Sequence, residues 1–171
     1  MQVSWKKQSG VSGYQIYMKT NDGSYKKIKT LKGEKETKYT VSGLEEGYRY
    51  AFKVKAFRTV NGKTSYGKDS SGVAIRMPIT APKKATVKKV TRTSVKISFS
   101  KASGVSGYEI YRKVGNGSYK KLAVLKGSSK TSYQKWALTK GTKYTFKVRA
   151  YKVVGNKKYY SKFVSTKQIK L

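Results

Sequence analysis

The stretch "KYTFKVRAY", residues 143–151, decides the fold. Its apolar and polar side chains alternate, which is the period of a β-strand with two unlike faces. Tyr144, Phe146, Val148 and Ala150 fall on one side, and Thr145, Lys147, Arg149 and Tyr151 fall on the other. The first set is the core face, because burying Lys147 and Arg149 without partners costs far more than exposing Thr145 and Tyr151.

The same stretch stands 94 positions earlier in altered form, with Tyr50, Phe52, Lys53, Val54 and Ala56 aligned on Tyr144, Phe146, Lys147, Val148 and Ala150. At that offset "SGVSGYQIY" (residues 9–17) meets "SGVSGYEIY" (residues 103–111), and no gap is needed anywhere. Residues 3–77 and 97–171 share 34 of 75 positions, so the chain is one module written twice. Met1 aligns with Val95, which leaves "ATVKKVTRTS" (residues 85–94) without a counterpart. The first module therefore begins one strand late, as an excised piece would, and its opening strand is left as an exposed edge open to strand addition from a protein partner.

Each copy breaks into short alternating runs separated by Gly, Asn, Asp and Ser. In the second copy the runs cover residues 86–90, 95–99, 107–113, 119–125, 131–134, 143–152 and 159–169. "NDGS", "GNGS", "VNGK" and "VGNK" supply the residues that accept positive φ in hairpin turns. No helical period survives. Seven strands with a turn every 8 to 12 residues make a β-sandwich. Pro78 and Pro82, the two prolines of the chain, stiffen "MPITAPKK" as an inter-domain linker, and the domains are set at residues 1–79 and 80–171.

With these residues in place, "WALTKGTKYTFKVRAY" (residues 136–151) resembles the fibronectin type III signature through Leu138, Gly141, Thr142, Tyr144, Val148 and Ala150. The first copy carries Leu44, Gly47, Tyr50, Val54 and Ala56, with Tyr48 where threonine is usual. Trp5 matches the family's core tryptophan, and Phe99 replaces it in the second copy while keeping aromatic bulk. The resemblance implies an all-β chain of two tandem seven-stranded, immunoglobulin-like sandwiches, the first lacking its N-terminal strand. The lysine- and tyrosine-rich character is similar to modules of secreted Gram-positive bacterial proteins. That likeness implies an extracellular or cell-wall-associated setting, although Met1 is followed directly by strand-like sequence rather than by a charged-then-apolar leader.

Composition bounds the chemistry. The 171 residues hold no cysteine and no histidine, which removes disulfides, the usual nucleophile–base pairs and the commonest transition-metal ligands. Residues 80–171 contain a single acid, Glu109, which alternates onto the outward face beside Tyr111 and leaves no second carboxylate for acid–base work. Glu34/Glu36 and Glu45/Glu46 sit in turn-like stretches of the first copy. The sequence predicts no enzyme, no cofactor and no metal: one acid in "NDG" falls far short of a calcium site. "VGNGS" lies between strands rather than before a helix, so it reads as a turn and not as a phosphate loop. No apolar run is long enough to insert in a membrane.

Charge is the remaining signal. Forty Lys+Arg against seven Asp+Glu give a formal net charge of +33, and residues 80–171 carry 24 of the cations. Such a field attracts polyanions such as teichoic acid or acidic glycans, while the dominance of lysine argues against specific nucleic-acid readout. The candidate ligand-binding surface is the outward sheet face, with Tyr111, Lys113, Lys147, Arg149 and Tyr151 in the second module and Tyr17, Lys19, Lys53, Lys55 and Phe57 in the first. Rings and cations interleaved there could stack on sugars while pairing with anionic groups. The same neighbours also stabilise strands without any ligand. The expected role is a non-catalytic spacer, presentation and adhesion module. A binding module for anionic glycans or wall polymers, and an accessory domain of a carbohydrate-active enzyme, stand as alternatives.

Overall fold

Sixteen strands and their turns make up residues 1–171 of the computed structural model, in two units, Met1–Met77 and Pro78–Leu171. The first unit holds β1 (Gln2–Ser4), β2 (Gly13–Thr20), β3 (Lys26–Lys32), β4 (Lys38–Thr40), β5 (Arg49–Val60), β6 (Lys63–Asp69) and β7 (Val73–Arg76). β1 pairs only with β4, while the other sheet runs β3-β2-β5-β6 with β7 also on β5. All pairs are antiparallel. Between β5 and β6, Asn61 (φ 49°) and Gly62 (φ 78°) form the two-residue turn, both in the left-handed region that a type I′ hairpin requires.

The second unit holds β8 (Ala85–Thr91), β9 (Ser94–Phe99), β10 (Gly107–Val114), β11 (Lys120–Lys126), β12 (Ser132–Lys135), β13 (Lys143–Val154), β14 (Lys157–Tyr160), β15 (Val164–Ser165) and β16 (Ile169–Lys170). One sheet runs β12-β9-β8 and the other β11-β10-β13-β14, with β15 and β16 pairing further along β13. The last sequence-predicted strand is thus three short pieces. Two hydroxyls divide it: Ser161 Oγ accepts from the Ala150 amide at 2.9 Å, and Thr166 Oγ1 accepts from the Phe146 amide at 3.2 Å. These side chains replace ladder carbonyls and interrupt the pairing.

The two inward faces enclose the core that alternation selects. Ile97, Tyr108, Ile110, Phe146, Val148 and Ala150 are fully buried, each large aliphatic or aromatic side chain stabilising by roughly 1.5–3 kcal/mol. Tyr108 keeps its hydroxyl satisfied by accepting from the Ala102 amide at 2.9 Å and donating to the Ser128 carbonyl at 3.0 Å. Tyr50 and Tyr144 each accept from a loop amide five residues upstream, at Glu45 and Thr139, both at 2.9 Å. The division between units falls at Met77/Pro78, because Ile79 and Pro82 are buried in the second unit instead of bridging freely as a linker.

Candidate functional site

The outward face of β10 and β13 is organised by register. Glu109 pairs opposite Arg149, Tyr111 opposite Lys147, Gly107 opposite Tyr151, and Lys113 opposite Thr145. On its other side β10 meets β11 with a bulge after Ile110, which brings Lys121 opposite Tyr111. The arrangement sets one carboxylate among three cations and a ring.

Glu109 is the centre, and its surroundings correct the sequence-based expectation. It lies on the outward side, yet it is 0% exposed. Lys121 Nζ donates to Oε1 at 2.8 Å, and Arg149 donates to Oε2 from Nε at 3.0 Å and from Nη2 at 2.7 Å. The Tyr111 hydroxyl donates to Oε2 at 3.0 Å and accepts from Arg149 Nη2 at 3.0 Å. Burial pushes the carboxyl up, but the hydrogen bonds from Lys121, Arg149 and Tyr111 outweigh it and hold the group below the usual carboxylate range. The same contact with Glu109 raises the Lys121 ammonium. A buried charge persists here because every oxygen is met by donors.

Aromatic rings roof this ion cluster. The Arg149 guanidinium lies 3.7 Å from the Tyr160 ring centroid and 4.9 Å from that of Phe163. Lys147 Nζ sits 4.0 Å from Phe163, 4.2 Å from Tyr119 and 5.6 Å from Tyr111. Phe163 meets Tyr111 edge-on at 5.2 Å. Tyr111, Lys147 and Arg149, three of the five expected residues, therefore come together, and they satisfy one another. Lys113 stands apart towards the end of β10. Tyr151 is buried, which corrects its placement on an open surface. It lies over Gly107, where an added Cβ would stand 2.7 Å from the tyrosine hydroxyl. Burial raises the Tyr151 hydroxyl above its ordinary range, with the Glu109 charge adding to the effect.

The first unit reaches the same end with the acid relocated. Gln15 replaces Glu109 and accepts from the Tyr17 hydroxyl at 2.6 Å. Lys55 replaces Arg149, and Asp69 stands where the second unit has Phe163. Lys55 and Lys53 reach Asp69 at 3.2 and 3.3 Å. The hydrogen bond from Lys55, with Lys53 adding to it, holds the Asp69 carboxyl below its ordinary value against the opposing pull of desolvation. Lys53 and Lys19 lie 4.5 and 5.2 Å from the Tyr25 ring, and Lys55 lies 5.9 Å from Tyr17. Phe57 rests against Gly13, half-buried, where a Cβ would stand 2.9 Å from the ring.

Sequence reasoning placed Glu109 on the outward face but not at the centre of an ion cluster, and it missed Lys121, Tyr119, Tyr160 and Phe163, and in the first unit Gln15, Tyr25 and Asp69. One signal was available: a lone acid among 24 cations in residues 80–171, two positions from an outward tyrosine on a strand. Chemically, each module's face is a set of rings already filled by the module's own cations.

The sequence pattern of the Fibronectin type III domain matches this chain twice, over residues 1–72 and 80–167. Among solved structures, a two-domain fibronectin type III segment from chicken tenascin is similar with a TM-score of 0.76. That similarity covers 99% of this chain and 91% of the tenascin segment at 16% identity, so it speaks to fold. The FN1-FN3 domains of chicken CNTN1 align over 96% of this chain and 58% of that one, at 18% identity and a TM-score of 0.43.

Proposed function

The chain belongs to the fibronectin type III family, and from that premise we propose that it serves as a non-catalytic spacing, presentation and adhesion pair of a larger secreted or cell-wall-associated bacterial protein. Its adhesion is to anionic surface polymers and works through diffuse charge. The observation that carries this reading is the internal pairing of the outward faces. Tyr111, Lys147 and Arg149 are engaged with Glu109, Phe163 and Tyr160, and Lys53 and Lys55 with Asp69. A ligand seated there would have to displace contacts that already satisfy each group. The free positive charge lies elsewhere: Lys88, Lys101, Lys130, Lys140, Lys157 and Lys167 are all exposed, on strands and loops alike. Lysines scattered in this way act as point charges without a shared geometry.

Titration of teichoic acid, heparin and short DNA across ionic strength tests the reading. All three should bind weakly, with affinities that fall together and vanish near about 0.15 M salt. Retention of one polymer at that salt, with loss of its binding in Tyr111→Ala, would replace diffuse adhesion by a site.

A further inference from the structure

The second unit places a cation where the first packs a methionine. Along β10, Tyr108, Ile110 and Arg112 share the core-facing side, as Tyr14, Ile16 and Met18 do along β2. Met18 packs against the cluster of Val41, Tyr50 and Phe52. Arg112 stands opposite Phe146 in one ladder and opposite Lys120 in the other. Like charges set directly across a ladder destabilise the pair of strands. The Arg112 guanidinium is half-buried, makes no ion pair or hydrogen bond, and lies 5.9 Å from the Tyr144 ring centroid. The one acid among residues 80–171, Glu109, is on the opposite side of the sheet and is already held by Lys121 and Arg149. Arg112 and Lys120 therefore face each other with no carboxylate between them.

The two cations also share a concavity. Arg112, Val114, Gly117, Ser118 and Lys120 line an open depression of about 330 Å³ at the β10–β11 hairpin, at the small end of the ligand-pocket range. The Gly117 N–H closes the turn onto the Val114 carbonyl at 2.9 Å, while the Ser118 hydroxyl makes no hydrogen bond within the chain. A second like-charge pair, Lys88 opposite Lys96, differs in setting: both sit at exposed strand positions, where water and salt screen them. Arg112 is withdrawn from solvent and gains less from that screening.

From the unpaired cations and the depression they line, we infer that the second unit carries a subsite for a phosphate dianion, free or as the end group of a phosphomonoester. The planar guanidinium of Arg112 meets two of its oxygens as a fork, and Lys120 adds a second positive charge from across the ladder. The Ser118 hydroxyl donates to a third oxygen, and Val114 offers an apolar edge to the carbon of an ester. Two cations thus match a group that carries close to two charges at neutral pH. A phosphodiester presents one charge and two free oxygens and fits poorly, so the subsite is separate from the diffuse attraction to polymers proposed above and does not rest on it. The first unit keeps Gly23, Ser24 and Lys26 at the matching positions, but Met18 replaces the arginine and the fork is lost.

The test titrates the whole 171-residue protein with inorganic phosphate, methyl phosphate and dimethyl phosphate, followed by NMR. The pH is held near about 8, where the first two are dianions, and the ionic strength constant at about 0.15 M to suppress non-specific attraction. Inorganic phosphate and methyl phosphate should shift the Arg112 Nε–H and the Gly117 and Ser118 amides along saturating curves, with Kd on the order of a few millimolar. The tighter of the two names the source, free phosphate or ester. Dimethyl phosphate should bind at least about tenfold more weakly, and Gly23 and Ser24 of the first unit should not saturate. Arg112→Met, which copies the first unit, should weaken methyl phosphate at least about tenfold. Lys120→Gln, at an exposed position that leaves the fold intact, should weaken it roughly threefold or more. Several results would overturn the inference: no saturation up to about 0.1 M ligand, equal curves at Gly23 and Gly117, dimethyl phosphate binding as tightly as methyl phosphate, or an unchanged Kd in Lys120→Gln.

Discussion

Replacing Glu109 by glutamine removes the charge that Lys121 and Arg149 surround while keeping the side chain's shape. Breaking a fully buried ion pair from one side costs about 3–5 kcal/mol, because the surviving charge is left unpaired. Here the cations are not fully buried: the Lys121 side chain is 46% exposed and that of Arg149 21%. Water can screen both after the substitution, which lowers the expected loss to about 2–3 kcal/mol. For a unit of this size the melting temperature should fall by roughly 10–20 °C. Urea unfolding followed by NMR signals from each unit measures the effect on the second unit with the first as internal reference. A second variant separates charge from packing. Glu109→Gln, Arg149→Lys and Phe163→Asp together reproduce the Gln15, Lys55 and Asp69 arrangement of the first unit, and should recover about half of the loss through coupling within the cluster. A Glu109→Gln protein within about 0.5 kcal/mol of the parent, or a triple variant no better than the single, would refute the idea that this acid holds the face together.

Three further outcomes follow from the same structure. Ala137 is held at φ +55°, where its counterpart Gly43 sits at φ +71°; Ala137→Gly should stabilise the second unit by roughly 0.5–1 kcal/mol in urea unfolding, and a loss of stability would contradict the strain. Gly107→Ala should destabilise by roughly 2–4 kcal/mol, because its Cβ would run into the Leu125 carbonyl oxygen and stand 2.7 Å from the Tyr151 hydroxyl; a variant of unchanged melting temperature would show that both can move aside. The Glu109 carboxyl is held below its unfolded value, so its contribution is complete above the ordinary carboxylate range near about pH 4.3 and is lost as the pH falls through the lower folded value. Stability of the second unit measured from pH 6 downwards should drop in that acid window, and Glu109→Gln should flatten the drop.

The strand pattern of residues 143–151 was readable because period-2 alternation is set by backbone geometry, and Tyr144, Phe146, Val148 and Ala150 all face the core. The repeat likewise placed Tyr14 and Tyr108 inward. Alternation reports the side of a sheet, however, and not what lies above it. Glu109 and Tyr151 are on the outward side and are still buried, since Phe163 and Tyr160 arrive from other parts of the chain and join Tyr111, on Glu109's own strand, in covering the cations around them. Gly107 carried that information indirectly, as a residue chosen for the ring that lies on it. The broken final strand depends on two hydroxyls that substitute for carbonyls, a choice that propensity does not encode. Comparing the copies would have exposed Ala137, because Gly43 occupies the same left-handed position.

The central claim is that the outward faces are satisfied internally and that attraction to polyanions is spread over the exposed lysines. Chemical-shift mapping with heparin, at rising salt, tests it most directly. The account predicts small perturbations scattered over both units that fade together by about 0.15 M salt. Perturbations that persist there and gather on Tyr111, Lys147 and Arg149 would contradict it.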